Sequence, residues 1–287
     1  MDADLARRFG GLERLYGVGG AAAIRAAHVA VVGIGGVGSW AVEALARSGV
    51  GRITLIDFDQ VAESNINRQI HAETATVGMA KVDAMRQRIA NINPQCQVHC
   101  VEEFATPDNW LGMASAGQFS AVIDACDQVK TKITLAAWAL AGAKHKDKTH
   151  SPVLFITVGA AGGKRRADKV EIADLSETTH DPLLAKLRYS LRRDHGAAPG
   201  DTDAAKNRTK TSEKAAKRIG TVCVFSHEVV APPDASCAVG SETGDGSLNC
   251  HGYGSVVSVT ASFGMCAAGW VLDALAKKKP VENQQAF

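Results

Sequence analysis

No two of the seven cysteines stand as a C-x-x-C pair; they fall at Cys96, Cys100, Cys126, Cys223, Cys237, Cys250 and Cys266. That spacing excludes a four-cysteine structural zinc site. The odd count argues against a disulfide framework. The first residues, "MDADLARRFG", are charged and have no apolar core of the kind a secretory leader carries. Free thiols in a reducing cytoplasm are the expectation. Internal repeats are lacking, which sets stacked-repeat architectures aside. Net charge is nearly absent at +2, yet it is unevenly spread. Lys186 to Arg218 holds ten Lys and Arg against four Asp and Glu, a local charge of +6. A polyanionic partner and an ordinary solvated helix and loop both fit that asymmetry. One long apolar run exists, Ser255 to Leu272, with 18 uncharged residues. Ser255, Ser258, Thr260 and Ser262 interrupt it and Asp273 ends it, so it reads as a buried C-terminal helix and not as a membrane span.

With 287 residues and 46% hydrophobic content, the chain can bury a sizeable core. Continuous apolar strands alternate with helix-period segments. "HVAVVG" (His28–Gly33), "RITLID" (Arg52–Asp57), "QVHCV" (Gln97–Val101), "SAVIDA" (Ser120–Ala125) and "VLFITVG" (Val153–Gly159) predict strands. Helices are expected from Gly36 to Ser48, from about Met79 to Asn91, and from Val129 to Ala143. Another should follow Thr106-Pro107, with threonine as N-cap and proline first in the helix. Beyond Gly159 the rhythm changes. "KVEIAD" (Lys169–Asp174) reads as an antiparallel edge strand, Asp181-Pro182 opens a basic helix to about His195, and "TVCVFS" (Thr221–Ser226) returns to strand. The expected fold class is α/β: a Rossmann-like, mostly parallel sheet with helices on both faces, antiparallel strands added, and a buried C-terminal helix. One domain, 1–287, is expected. Residues 28–160 form its nucleotide-binding half and 161–287 its substrate and dimer half, with a mobile basic loop at about 196–218 and another loop at about 232–252.

Gly33-x-Gly35-x-x-Gly38 follows a strand and opens a helix, the context in which backbone approaches phosphates and free N–H groups face an anion. Asp57 ends the next strand, where a carboxylate accepts from ribose hydroxyls. The loop that follows carries Arg68, and Lys81 opens the next helix; both suit a polyphosphate. Asp127, just past the fourth strand, is a candidate Mg²⁺ ligand at the carboxyl edge of the sheet, while Asp124 reads as structural. Cys223 in its apolar strand reads as core packing, and so does Cys126.

The segments "VVGIGGVGSWAVEALARSGVGRITLIDFDQVAESNINRQI", "VGMAKVDA" and "IDACDQ" resemble the E1-like adenylating superfamily, in which a carboxylate attacks the α-phosphate of ATP. The resemblance implies that Gly33, Gly35, Gly36 and Gly38 approach the nucleotide and that Asp57 and Asp59 serve it from the acidic strand end. It places Asn65, Arg68, Gln69 and Lys81 on the phosphates and Mg²⁺ on Asp127. A partner subunit would lend Arg8 or Arg14. The protein-activating members carry two C-x-x-C zinc pairs that this chain lacks, so no zinc is expected. "RFGGLERLYG", "DPLLAKLR" (Asp181–Arg188), "CVFSHE" (Cys223–Glu228) and "GYGS" (Gly252–Ser255) are instead similar to the tRNA threonylcarbamoyladenosine dehydratases. That likeness implies ATP-dependent cyclisation of the threonylcarbamoyl group next to the anticodon. It also implies a homodimer, a supporting monovalent cation as a candidate, and a sulfur-acceptor or cysteine desulfurase system as a candidate partner. Lys164, Arg165, Arg166, Arg188, Arg192 and Arg193 would then contact tRNA phosphates. Arg68, Lys81 and Asp127 would carry the chemistry, with Cys237 as a candidate reactive thiol. Two alternatives stand beside this reading: an activator of a sulfur-carrier protein, and an NAD-binding oxidoreductase or nucleotide sensor.

Overall fold

The computed structural model describes residues 3–144, 152–199, 217–234, 236 and 253–277. Cys237, Cys250 and most of the 196–218 and 232–252 segments lie outside the described residues.

Five short apolar segments form the parallel strands β1 (His28–Val32), β2 (Arg52–Ile56), β3 (Gln97–Val101), β4 (Ala121–Asp124) and β5 (Leu154–Val158). With β6 (Val170–Asp174) and β7 (Val222–Ser226) they make one sheet, in the order β3-β2-β1-β4-β5-β7-β6. Every pairing is parallel except β6 with β7, so the antiparallel strand sits at the edge, as the sequence predicts. Both halves of the chain contribute to this sheet, because β5 pairs with β7.

Alternation along β1 explains the two-faced burial. Val29 and Val31 join the core beneath α1 (Leu5–Ala26), α2 (Gly38–Arg47) and α3 (Lys81–Ile92). Ala30 and Val32 join the opposite core, under α4 (Trp110–Gly117), α5 (Val129–Lys144) and α6 (Pro182–Asp194). The last helix, α7 (Val257–Lys277), is long and apolar enough to cross a membrane, but its Phe263, Ala267, Val271 and Leu275 belong to the first core. Gly264 is where α7 meets α2; a Cβ there would collide with the Val37 carbonyl and lie 2.8 Å from the Ala41 nitrogen.

Two local expectations shift. The helix after β3 is formed from Trp110, three residues beyond Pro107. Thr106 still caps the turn ahead of it, its hydroxyl accepting from Asn109 N–H (3.3 Å) and its own N–H reaching Asn109 Oδ1 (2.7 Å). The 22-residue α1, capped by Asp4 and kinked at Gly17 (φ 74°), is absent from the sequence reading.

Candidate functional site

The strand order reverses at β1, whose neighbours are β2 and β4, and open α/β sheets hold ligands beside the carboxyl ends of strands at such a switch point. A cleft opens there, lined on one side by Gly33, Gly35, Gly36, Asp57, Asp59, Arg68, Gln69 and Lys81. Ala125 to Gln128 close it from the β4 end, and Gly159 to Gly162, Ser255 and Thr260 form the far wall.

The glycine turn is held open by steric necessity. Gly33 adopts φ +87°, and a Cβ there would come within 2.9 Å of the Ala125 and Cys126 backbone. Gly38 packs its Cα directly over the Gly33 carbonyl, so it shapes the turn without lining the cleft. Asp57 braces the same turn: Oδ2 accepts from Ile34 N–H at 2.6 Å and Oδ1 from Asp59 N–H at 2.9 Å. Each carboxylate oxygen keeps a second lone-pair site, so these bonds leave room for a ribose hydroxyl. Burial pushes its carboxyl above the usual range, against the pull of Lys81.

Arg68 lies half-buried with its stem 3.3 Å from where a Gly36 Cβ would stand. Its Nη1 donates to Ser64 O (2.7 Å) and Asn67 Oδ1 (3.0 Å), while the carbonyl of Arg68 accepts from Trp40 Nε1 (2.9 Å). No carboxylate pairs with this guanidinium among the described residues, and burial alone draws its pKa down. An unpaired, half-buried cation facing a cleft is built to meet an anion. Gln69 is buried and lines the cleft, and its Oε1 has no partner among the described residues; as an acceptor it calls for an N–H or O–H donor of the bound molecule. Lys81, buried, pairs with the half-exposed Asp59 at 2.6 Å. Asp127 faces the cleft within electrostatic reach of Lys81 and Asp59, and burial raises its pKa.

Asn65 does not line the cleft. It is buried in the loop, where its Oδ1 accepts from Ala62 N–H at 3.1 Å and holds the turn that presents Arg68. Within the chain neither Arg8 nor Arg14 reaches the cleft; both are exposed, and Arg8 Nη1 donates to Ile92 O at 2.8 Å.

The cationic surface drawn from the sequence needs correction. Lys164 is 1% exposed, and its ammonium donates to Ser226 O (3.1 Å) and His180 O (3.4 Å), so it is an internal tie and not a surface phosphate contact. Arg188 is likewise committed, donating from Nη1 to Leu175 O, Thr178 O and Thr178 Oγ1. Arg192 is partly buried and donates to Ala198 O. Arg165, Arg166 and Arg193 are exposed; Arg166 pairs with Asp168, and Arg193 pairs with Asp194.

Sequence reasoning misses Lys132. It is fully buried on α5 with its ammonium 2.9 Å from Asp124 Oδ2 and 3.0 Å from Thr157 Oγ1, while Thr157 donates to the same carboxylate at 2.7 Å. The other oxygen of Asp124 accepts from the Cys126 N–H (3.2 Å) and thiol (3.0 Å). This network shapes the turn that carries Asp127. A lysine eight residues past a strand-end aspartate, in the first turn of a helix that is largely apolar beyond Thr134, is the signal that could have revealed it. Cys223 is buried in the core and its thiol is pushed well above the usual range, as expected of a packing residue.

The ThiF family model matches residues 10–287. The chain is 40% identical over 274 residues to the tRNA threonylcarbamoyladenosine dehydratase of Haemophilus influenzae, covering 95% of each. It overlays the crystal structure of the Escherichia coli tRNA N6-threonylcarbamoyladenosine dehydratase in complex with ATP with a TM-score of 0.77 and 39% identity, covering 96% of each chain. The molybdopterin-synthase adenylyltransferase of Salmonella typhimurium is 39% identical over 118 residues, only 41% of this chain and 47% of that protein. A match over all but the first nine residues, on a fold of the same topology, leaves one conclusion: the chain belongs to the ThiF family.

Proposed function

We infer that this chain is an ATP-dependent tRNA threonylcarbamoyladenosine dehydratase. The observation that carries the reading is the reach of the likeness: the Haemophilus influenzae dehydratase matches 95% of the chain, whereas the molybdopterin-synthase adenylyltransferase matches 41%. The cleft supplies the physical support. An unpaired Arg68 and a turn that tolerates no Cβ suit the phosphates of a nucleotide, and the orphaned Gln69 oxygen, an acceptor, suits one of its hydroxyl or amino donors.

In this reading a carboxylate oxygen of the threonyl group attacks the α-phosphorus of ATP, and the bond to the β-phosphate oxygen breaks to release pyrophosphate. An atom of the adjacent carbamoyl group then attacks the activated acyl carbon, AMP leaves, and the ring closes with net loss of water. Arg68 and Lys81 offset the charge that gathers on the leaving pyrophosphate. The glycine turn presents backbone to the phosphates, and Asp57 keeps that turn rigid. Asp127, a carboxylate that faces the cleft, would hold Mg²⁺. When bound, Mg²⁺ supplies charge neutralisation at the phosphates. Holding the two reacting groups of one nucleotide together supplies part of the barrier reduction without a protein nucleophile. The remaining exposed cations, Arg165, Arg166 and Arg193, would steer tRNA. A homodimer would bring Arg8 or Arg14 of one subunit to the other's cleft; Arg8 is tied to Ile92 O within its own chain, which favours Arg14, and the setting would be cytoplasmic.

The test is nucleotide analysis. Modified tRNA should drive ATP to AMP and pyrophosphate, and tRNA lacking the threonylcarbamoyl group should not. ADP as product, or AMP formation driven only by a carrier-protein C-terminus, would overturn the reading.

A further inference from the structure

A larger cavity, about 610 Å³, lies away from the ATP cleft, between the start of α1, the end of α2 and α3. Arg8, Arg47 and Arg88 line it. Glu43, almost wholly buried, accepts from Arg47 Nε at 2.7 Å and from Arg88 Nε and Nη2 at 2.7 and 3.2 Å. That single carboxylate holds two guanidinium stems in place, so the three arginines outnumber the acids, Glu43 and Glu73, beside them. Arginine forks fixed in this way suit tetrahedral oxyanions.

The second observation is independent of charge. His71 lines the same cavity at 2% exposure, and among the described residues neither ring nitrogen has a hydrogen-bond partner. Burial, with Lys81 and Arg88 nearby, lowers its pKa to about 4, so at neutral pH it offers one N–H and one lone pair. Buried polar groups are seldom left unpaired, and the described residues supply no partner here. We propose that this groove is a second phosphate-group site, distinct from the ATP cleft, in which Arg47, Arg88 and Arg8 neutralise the anion and a His71 N–H donates to it. The cavity exceeds what one phosphate fills, so the group arrives on a larger molecule, either a nucleic-acid backbone or a free nucleotide. The two sites are linked through the chain: Gln69 lines the cleft and His71 lines the groove.

The experiment titrates inorganic phosphate into the full chain with isotope-labelled histidine, the His71 ring signals being assigned by His71→Gln. Saturable shifts of those signals are expected, weakened roughly tenfold or more in Arg47→Gln, which loses one charge-assisted hydrogen bond. The side chain of Arg47 is 59% exposed and outside the ATP cleft, so this variant keeps its fold. The response should persist in Arg68→Ala. Silent His71 signals, identical titrations in wild type and Arg47→Gln, or loss of the response in Arg68→Ala would each overturn the site. The salt dependence of tRNA binding separates the two sources. A slope lowered by about one in Arg47→Gln identifies a backbone phosphate, and an unchanged slope identifies a free nucleotide. The phosphate titration needs neither tRNA nor turnover, so its failure is distinct from failure of the dehydratase reading.

Discussion

Arg68, half-buried, and Lys132, fully buried, are cations with opposite duties. Arg68 has no acidic partner and faces the cleft, so Arg68→Ala should leave the fold intact and lower kcat by about 10²–10³, as removal of one transition-state donor does. Steady-state kinetics against a thermal melt checks both halves of that expectation. Lys132 has two partners and no opening to the cleft. Lys132→Met strands the Asp124 carboxylate in the core and should cost about 3–5 kcal/mol of stability, measured by urea unfolding. His71 adds a pH effect. Its folded pKa of about 4 lies below the ordinary 6.5, so the unfolded chain binds the extra proton. Stability is therefore full above pH 6.5 and declines as pH falls toward 4, by up to about 3 kcal/mol. Denaturation curves of His71→Gln across that range should lose this part of the slope; an unchanged slope would remove His71 as its source. Arg68 and Asp127 are legible from spacing alone, because phosphate chemistry demands charge at a sheet's carboxyl edge. Lys132 and His71 are not, since what distinguishes them is burial, which a sequence position does not state.

At the scale of elements, the glycine turn and the β4–α5 turn are one unit. Gly33 lies against Ala125 and Cys126, and the Asp124 network fixes the latter turn from beneath. Gly33→Ala should therefore cost at least about 1–2 kcal/mol for its positive φ and abolish ATP binding through the 2.9 Å backbone contact. Calorimetric titration with ATP is the check; near-native affinity would mean the turn can shift without loss. The parallel strands and their helices are legible because continuous apolar runs and helical spacing are strong signals. The 22-residue α1 is not, for much of its length is exposed and it contains a Gly17 kink. Lys164 and Arg188 teach the converse lesson. A basic stretch reads as surface, yet the chain uses both side chains to tie carbonyls at loop ends.

For the molecule as a whole, one sheet joins the half that carries the glycine turn to a half whose α7 packs back onto α1 and α2. The far wall of the cleft, Gly159 to Gly162 with Ser255 and Thr260, comes from chain well outside the glycine, aspartate and arginine motifs. In the proposed reading those motifs serve the nucleotide, and the signal that favours a tRNA substrate over a carrier protein lies in likeness along nearly the entire length. The proposed ring closure uses no protein nucleophile, so Cys237→Ala should retain turnover, and its loss would assign that thiol to the chemistry. The most direct measurement incubates the protein with ATP, Mg²⁺ and threonylcarbamoyl-modified tRNA and weighs the released nucleosides by mass spectrometry. The account predicts a modified adenosine lighter by one water, formed in step with AMP; an unchanged nucleoside would contradict it.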